Sequence, residues 1–283
     1  MVLGVSRALN RHPRDPWFLD EYTLNPYNGC TFGCLYCYTR GSRYGKEGFG
    51  VKKGLIRALV RELHSYSRRG MHGFIALGSA TEPWMQPEES LGITRKCLGR
   101  ILEYRFPVHC LTKSTLILRN ADLLREISES AILPEDLRGL EGAYVTFSFS
   151  TLDASLARLL EPGAPRPDER LNAARELMER GLKVGLAFMP IIPALTEGEM
   201  EEMASVAAEL GVNHVYFSPM TLELGSPFRP FLRERYPEAW ERIKEIYGSG
   251  RVPSPAYNRE FFRRVRPLLE RHRLRFGIAG SLP

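Results

Sequence analysis

Three cysteines, Cys30, Cys34 and Cys37, lie in one short run near the start of the chain. Their spacing is C-x3-C-x2-C, and Tyr36 directly precedes the third cysteine. Three thiolates on so short a loop can bind three of the four irons of a [4Fe–4S] cluster. The fourth iron then has no local protein ligand and is open to a small molecule. The motif therefore predicts a cluster that performs chemistry rather than simple electron storage.

Zinc is the alternative metal for clustered cysteines. A closed structural zinc site takes four protein ligands, whereas a catalytic zinc site takes three ligands and a water molecule. No fourth cysteine follows at a C-x2-C spacing, and the nearest upstream histidine, His12, is distant and flanked by Pro13. The spacing therefore favours an iron–sulfur cluster over zinc.

The two remaining cysteines, Cys97 and Cys110, have no spacing partner. Cys97 falls in a helical pattern and Cys110 in a strand pattern, so both are expected to be buried small hydrophobic residues. Five cysteines with three of them clustered do not indicate a disulfide framework. We expect a reducing compartment, in which the thiols stay available for metal.

The bulk composition indicates an ordinary globular protein of 283 residues, of which 43% are hydrophobic and 25% are charged. No apolar run approaches the roughly 20 residues that span a bilayer, and the N-terminus has no apolar signal-peptide core. We therefore expect a cytoplasmic protein with no membrane partner. The net charge of +6 permits an anionic partner such as nucleic acid without requiring one.

Short apolar strands alternate with amphipathic helices along most of the chain, which is typical of a parallel sheet covered by helices. The strands are predicted at 22–25, 73–77, 108–112, 144–149, 184–189 and 214–218, with a helix at 88–104 between the second and third of them. Six such units predict an α/β fold of the incomplete (βα)6 barrel kind, two units short of the full TIM-type barrel. We expect an N-terminal extension at 1–19, the partial barrel at 20–225, and a mostly helical C-terminal region at 226–283 that packs on the barrel.

Polar residues follow three of the predicted strands, at the ends where such sheets carry their chemistry. They are Thr81 and Glu82 after the second strand, Lys113 after the third, and Ser148 and Ser150 at the end of the fourth. A lysine at this edge could pair with a carboxylate, and strand alternation directs both serines to one face. The alternatives are an exposed loop carboxylate, a solvated lysine, and serines that only cap the next helix.

Several segments, taken in order, resemble the spore photoproduct lyase-like branch of the radical S-adenosylmethionine (SAM) superfamily. They are 25–30, 36–38, 81–88, 112–114, 150–153 and 160–163. The resemblance implies a [4Fe–4S] cluster and SAM as cofactors, with SAM bound to the open iron. An electron from the reduced cluster would cleave SAM to methionine and a 5′-deoxyadenosyl radical, which abstracts hydrogen from a substrate. The implied partner is an external one-electron reductant of the ferredoxin or flavodoxin type.

The resemblance also implies roles for single residues. By position, it assigns the irons to Cys30, Cys34 and Cys37. It assigns contacts with SAM to Thr81, Glu82, Lys113 and a serine at Ser148 or Ser150, and of these the acid would face the methionyl amino group.

The chain departs from the lyases at the hydrogen-atom donor. Those enzymes use a cysteine near the end of the second strand, where this chain has Gly-Ser-Ala-Thr at 78–81. Repair of a DNA photoproduct is therefore the less favoured function, and the substrate stays unidentified. The candidates for a catalytic donor are Tyr38, which lies in a tyrosine-rich neighbourhood, and Cys110.

Two further interpretations stay open. An arginine-rich helix at 259–275 favours a nucleic-acid substrate, but a solvated helix face above apolar packing residues explains the same pattern. The chain could also be a non-catalytic iron–sulfur or zinc-binding protein that acts in regulation or electron transfer. Cleavage of SAM would distinguish an enzyme from such a protein.

Overall fold

The computed structural model describes residues 1–42 and 48–280. The chain divides into two compact units, and the boundary crosses the cysteine run between Thr31 and Phe32. Unit 1 comprises Met1–Thr31, Glu47–Phe147 and Glu169–Gly185, and unit 2 comprises Phe32–Lys46, Ser148–Asp168 and Leu186–Pro283. The division into segments 1–19, 20–225 and 226–283 stays a prediction.

The described residues form strands and helices in alternation over most of the chain. The strands are β1 Val2–Gly4, β2 Leu9–Arg11, β3 Asp20–Leu24, β4 Tyr27–Asn28, β5 Gly50–Lys53, β6 Phe74–Leu77, β7 Val108–Thr112, β8 Ala143–Phe149, β9 Lys183–Ile191 and β10 His214–Pro219. The helices are α1 Leu55–Ser67, α2 Glu88–Leu91, α3 Ile93–Glu103, α4 Ala121–Ser130, α5 Ala154–Leu160, α6 Pro167–Glu179, α7 Met200–Leu210, α8 Phe228–Arg235, α9 Pro237–Tyr247 and α10 Pro255–His272. In the part of the chain that the structure describes, no helix is both long and apolar enough to cross a membrane.

All six strands predicted from the sequence are present, as β3 and β6 to β10. The helix predicted at 88–104 is instead two helices, α2 and α3, because Gly92 between them has a left-handed φ of 60°. The buried carboxylate of Glu88 then caps α3, since it accepts the backbone N–H groups of Thr94 at 2.9 Å and Arg95 at 3.0 Å. The break therefore reflects a buried cap that hydrophobic periodicity does not reveal.

The main sheet of unit 1 runs in the order β8–β7–β6–β3–β2. The strands β3, β6, β7 and β8 are parallel, with Leu24 opposite Leu77 and Thr112 opposite Phe147, and β2 lies antiparallel to β3. The whole of β6 is buried, as expected for a parallel strand covered on both faces. Because parallel strands share one direction, the loops after β3, β6 and β7 leave the sheet at the same edge.

The N-terminal residues contribute strands that the sequence did not predict. β1 pairs in parallel with β5, and β5 pairs antiparallel with β4, so that Val2 and Tyr27 both lie opposite Val51. This small sheet is part of unit 1 and holds the segment that directly precedes the cysteine run. Strands this short carry no readable periodicity, which explains why the sequence indicated only an extension.

In unit 2, β9 is the neighbour of β10 in the sheet, and the end of the chain covers the far edge of β10. The backbone N–H of Val215 donates to the Arg275 carbonyl at 2.9 Å, and the N–H of Gly277 donates to the Val215 carbonyl at 2.9 Å. Phe276 lies opposite Val215 in this parallel bridge and is buried together with Ile278. The C-terminal segment therefore protects an otherwise open sheet edge.

Truncation after Arg273 is expected to destabilise unit 2 and to cause aggregation. It exposes the edge of β10 and removes two buried apolar side chains, each of which contributes about 1.5–3 kcal/mol. Chemical unfolding and size-exclusion chromatography measure both effects. Truncation after Gly280 is the control, because it keeps the bridge. Equal stability of the two truncated forms would contradict the assignment.

A buried histidine lies on β7 in the core of unit 1. The Nδ1 of His109 lies 3.2 Å from the Phe18 carbonyl, and its Nε2 lies 2.7 Å from the Thr146 hydroxyl. Because the carbonyl can only accept a hydrogen bond, Nδ1 carries the proton and Nε2 accepts from the threonine. Burial lowers the pKa of His109 to about 4, although the carbonyl of Phe18 opposes this shift.

Acid is therefore expected to weaken unit 1 through His109. The unfolded chain binds this proton near pH 6.5 and the folded chain only near pH 4, so stability falls as the pH is lowered through that window. From pH 7 to pH 5 the loss is about 2 kcal/mol. Urea unfolding at both pH values should show a smaller loss for His109→Gln and an unchanged loss for His64→Gln, which alters an exposed histidine. A wild-type loss that His109→Gln leaves intact would contradict this assignment.

Candidate active site

The loop after β6 is held by Asn25, which follows β3 and precedes the cysteine run. Its Oδ1 accepts the backbone N–H groups of Ala80 at 3.0 Å and Thr81 at 3.1 Å, and its Nδ2 donates to Ser79 Oγ at 3.2 Å. The side chain of Thr81 is half-buried and lies 3.4 Å from the same Oδ1. One amide thus fixes the 79–81 loop beside the segment that leads to Cys30.

Glu82 is buried and joins the loop after β6 to the end of β7. Its Oε1 accepts from the Thr112 hydroxyl at 2.6 Å and from the Trp84 N–H at 3.1 Å, and its Oε2 accepts from the Lys113 N–H at 2.9 Å. Burial raises the pKa of this carboxyl group, and the three hydrogen bonds oppose the shift. Glu82 is therefore not the exposed loop carboxylate of the alternative interpretation. Its predicted contact with SAM stays a prediction.

Lys113 follows β7 at the edge where the loop after β6 also lies. Its backbone N–H is held by Glu82, and its side chain is half-buried. The next residue, Ser114, donates its hydroxyl to the Trp84 carbonyl at 2.6 Å. Unit 1 therefore brings Thr81, Glu82 and Lys113 together at one end of its sheet, as the sequence predicted.

Ser148, near the end of β8, and Ser150, just after it, belong to unit 2 and are both hydrogen-bonded within it. Ser148 is half-buried and donates to the Met189 carbonyl at 3.0 Å, whereas Ser150 is fully buried and donates to Glu161 Oε1 at 2.9 Å. Neither serine caps the next helix, because Asp153 accepts the N–H groups of Ser155 and Leu156 at the start of α5. Contacts of these two hydroxyls with SAM stay predictions.

None of the three clustered cysteines forms a disulfide, and neither Cys97 nor Cys110 does. Cys30 is exposed in unit 1, and Cys34 and Cys37 are half-buried in unit 2. Three cysteines on one loop are of the residue type that an iron–sulfur cluster requires as thiolate ligands. Within residues 1–42 and 48–280, no three His, Cys, Asp or Glu side chains form a group that could hold a metal ion. The assignment of these cysteines as cluster ligands therefore stays a prediction, and it rests on their residue type and spacing.

The two candidates for a hydrogen-atom donor differ in exposure. Tyr38 lies next to the third cysteine of the motif and its exposed fraction is 44%. Cys110 lies within β7 and is fully buried, and burial raises the pKa of its thiol. A buried thiol with a raised pKa is typical of a structural cysteine, so exposure favours Tyr38 of the two.

The arginine-rich helix predicted at 259–275 is mostly α10, and several of its arginines already have carboxylate partners. Arg263 pairs with Glu260 at 2.6 Å, and Arg271 pairs with Glu201 at 2.7 Å. The opposite face buries Phe261, Val265 and Leu269. These contacts favour the solvated helix face over a phosphate-binding surface.

Comparisons of the sequence identify the family. The model of the radical SAM superfamily matches residues 24–207. An uncharacterised protein of Mycobacterium tuberculosis is 28% identical over 282 residues, which cover 94% of this chain and 79% of that protein. The spore photoproduct lyase of a Geobacillus species is 25% identical over 84% of this chain and 66% of the lyase. The radical SAM Nalpha-GlyT isomerase of Pseudomonas phage M6 is 25% identical over 78% of this chain and 43% of the isomerase.

Comparison of structures identifies the same fold. One spore photoproduct lyase variant superposes with a TM-score of 0.68 at 18% identity, over 96% of this chain and 79% of that one. Another, with bound AdoMet and a dinucleoside spore photoproduct, covers the same shares with a TM-score of 0.64 at 19% identity. These similarities confirm the predicted α/β fold and the predicted resemblance to the lyase-like branch.

Proposed function

The chain belongs to the radical SAM superfamily, and we propose on this basis that it generates a 5′-deoxyadenosyl radical from SAM and uses it to abstract hydrogen from a substrate. Members of this superfamily use a [4Fe–4S] cluster and SAM, and they need an external reductant. The observation that carries the proposal is the C-x3-C-x2-C motif inside the matched region, none of whose cysteines forms a disulfide. The bound cluster supplies the electron that splits SAM.

The proposed ligands of the cluster are Cys30, Cys34 and Cys37. Three cysteines leave one iron of a [4Fe–4S] cluster without a protein ligand, and the amino and carboxylate groups of SAM would bind there. A ferredoxin or flavodoxin is the proposed electron donor.

The proposed SAM contacts in unit 1 are one cationic, one neutral and one acidic side chain. The ammonium group of Lys113 would pair with the carboxylate of SAM, and the hydroxyl of Thr81 would add a hydrogen bond. Glu82 Oε2 accepts one hydrogen bond, whereas Oε1 accepts two. A carboxylate oxygen can accept more than one hydrogen bond, so Oε2 is the atom proposed to accept from the methionyl amino group. In unit 2, Ser148 is the more accessible of the two proposed serines.

A nucleic-acid substrate is the second candidate, and the similarity to proteins that bind or act on nucleoside derivatives favours it. The solved lyase structure holds a dinucleoside photoproduct, and this chain has a net charge of +6. Cleavage of that photoproduct is the less favoured reaction, because the 79–81 loop has no cysteine.

Among the described residues near the motif, exposed Tyr38 is the proposed hydrogen-atom donor.

The test is anaerobic reconstitution of the full chain with iron and sulfide, followed by addition of SAM and dithionite. The expected result is equal amounts of 5′-deoxyadenosine and methionine, measured by mass spectrometry. The absence of both products from protein that holds a full cluster would exclude radical chemistry and favour a regulatory or electron-transfer protein. Transfer of deuterium between labelled substrates and 5′-deoxyadenosine, with a dinucleoside and a peptide offered in parallel, would identify the substrate class.

A further inference from the structure

The backbone of the cysteine run is anchored to the turn that ends α5, at residues 160–163. The N–H of Leu35 donates to the Leu160 carbonyl at 2.8 Å, and the N–H of Gly163 donates to the Phe32 carbonyl at 2.9 Å. Each segment thus donates one hydrogen bond and accepts the other. Both segments lie in unit 2. The two hydrogen-bonded residues of the cysteine run, Phe32 and Leu35, lie on either side of the proposed ligand Cys34.

A buried carboxylate in the same turn anchors the side chain between the last two cysteines. Tyr36 is 6% exposed, and its hydroxyl donates to Glu161, which is 2% exposed. Ser150 donates to the same carboxylate at 2.9 Å. A carboxylate buried to this degree needs hydrogen-bond donors to offset its lost hydration, so Glu161 holds Tyr36 in place.

From these contacts we propose that Glu161, acting through Tyr36, is a positioning residue for the cluster ligands Cys34 and Cys37. Tyr36 is next to one ligand in sequence and two residues from the other. The backbone bonds at residues 32 and 35 fix the first part of the loop, and the tyrosine hydroxyl fixes the part that leads to Cys37. The inference rests on the proposed function, since it requires these cysteines to bind the cluster.

The test compares Tyr36→Phe with Tyr247→Phe in the full chain. Tyr247 belongs to the same buried hydrophobic cluster as Tyr36, and its hydroxyl donates to the Met220 carbonyl at 2.6 Å. Both variants therefore remove one hydroxyl from a buried, hydrogen-bonded tyrosine, and only the first alters the cysteine loop. Glu161→Gln is the conservative variant, because its amide oxygen can still accept from Tyr36.

The measurement is the rate at which the reconstituted protein loses iron to an excess of a ferrous chelator under anaerobic conditions. The electron paramagnetic resonance spectrum of the reduced cluster, with and without SAM, is the second readout. Tyr36→Phe is expected to release iron about tenfold faster than the wild type, equivalent to about 1.4 kcal/mol, and to change the spectrum with SAM. Glu161→Gln should release iron at an intermediate rate, and Tyr247→Phe at the wild-type rate.

The outcomes separate this inference from the proposed function. Wild-type release and an unchanged spectrum in Tyr36→Phe would overturn the inference while SAM cleavage still stood. Equal acceleration in Tyr247→Phe would also overturn it, because the effect would then follow from a general loss of stability. A wild-type protein that holds no cluster would overturn both.

Discussion

Replacement of any one of Cys30, Cys34 and Cys37 by alanine is expected to abolish SAM cleavage. Each variant would remove one of the three proposed protein ligands to the cluster. Because loss of an outer-shell partner of a metal site already costs about 10–100-fold, loss of a ligand should lower the yield of 5′-deoxyadenosine by more than about 100-fold. The measurements are iron and sulfide per chain after reconstitution, and the yield of 5′-deoxyadenosine with dithionite.

The matched control is Cys97→Ala, which removes a free thiol outside the motif. Cys97 is buried in α3, and burial raises the pKa of its thiol, as in an inert structural cysteine. This variant should keep the iron content and the product yield of the wild type. Full iron and sulfide in an alanine variant of the motif would contradict the ligand assignment. One bound zinc without sulfide, in the wild type, would favour the zinc alternative.

The parallel strands could be predicted because their burial appears directly in the sequence. A run such as 74–77, apolar at every position and followed by glycine, is explained by a strand buried on both faces. The elements that the prediction missed depend on partners far along the chain. β1 is held by β5, and the segment at 275–277 is held by Val215. Segments this short have no periodicity of their own, so their structure comes from the neighbouring strand.

The polar residues of the candidate site could be predicted for a related reason. Parallel strands place the loops that follow them at one edge, so strand order alone predicts that Thr81 and Lys113 lie at the same edge, whereas their proposed contacts with SAM came from the family resemblance. The roles of Asn25 and Glu161 were not identifiable in this way. Asn25 acts on a loop 54 to 56 residues away, and Glu161 acts on a tyrosine 125 residues away. Hydrogen bonds over such separations are determined by packing, which a single sequence does not show.

Replacement of Glu82 by alanine is expected to lower the free energy of unfolding by about 3 kcal/mol. The carboxylate accepts from three donors, and two of them are the backbone N–H groups of Trp84 and Lys113. The hydroxyl of Thr112 can rotate to another acceptor, but a backbone N–H cannot turn away. A buried donor left unpaired costs about 1–3 kcal/mol. Urea unfolding of the cluster-free protein measures this loss without any contribution from iron or SAM.

Two further variants separate the structural role of Glu82 from its proposed contact with SAM. Glu82→Gln keeps one acceptor oxygen but directs an amide N–H₂ at a donor, so it should lose about 2 kcal/mol. Glu89→Gln, which alters an exposed acid of α2, should unfold like the wild type. If Glu82 served only SAM, both Glu82 variants would unfold like the wild type and only their SAM affinity would fall. The three hydrogen bonds instead predict that stability falls, and that SAM affinity falls with it because the same carboxylate holds the backbone of Lys113.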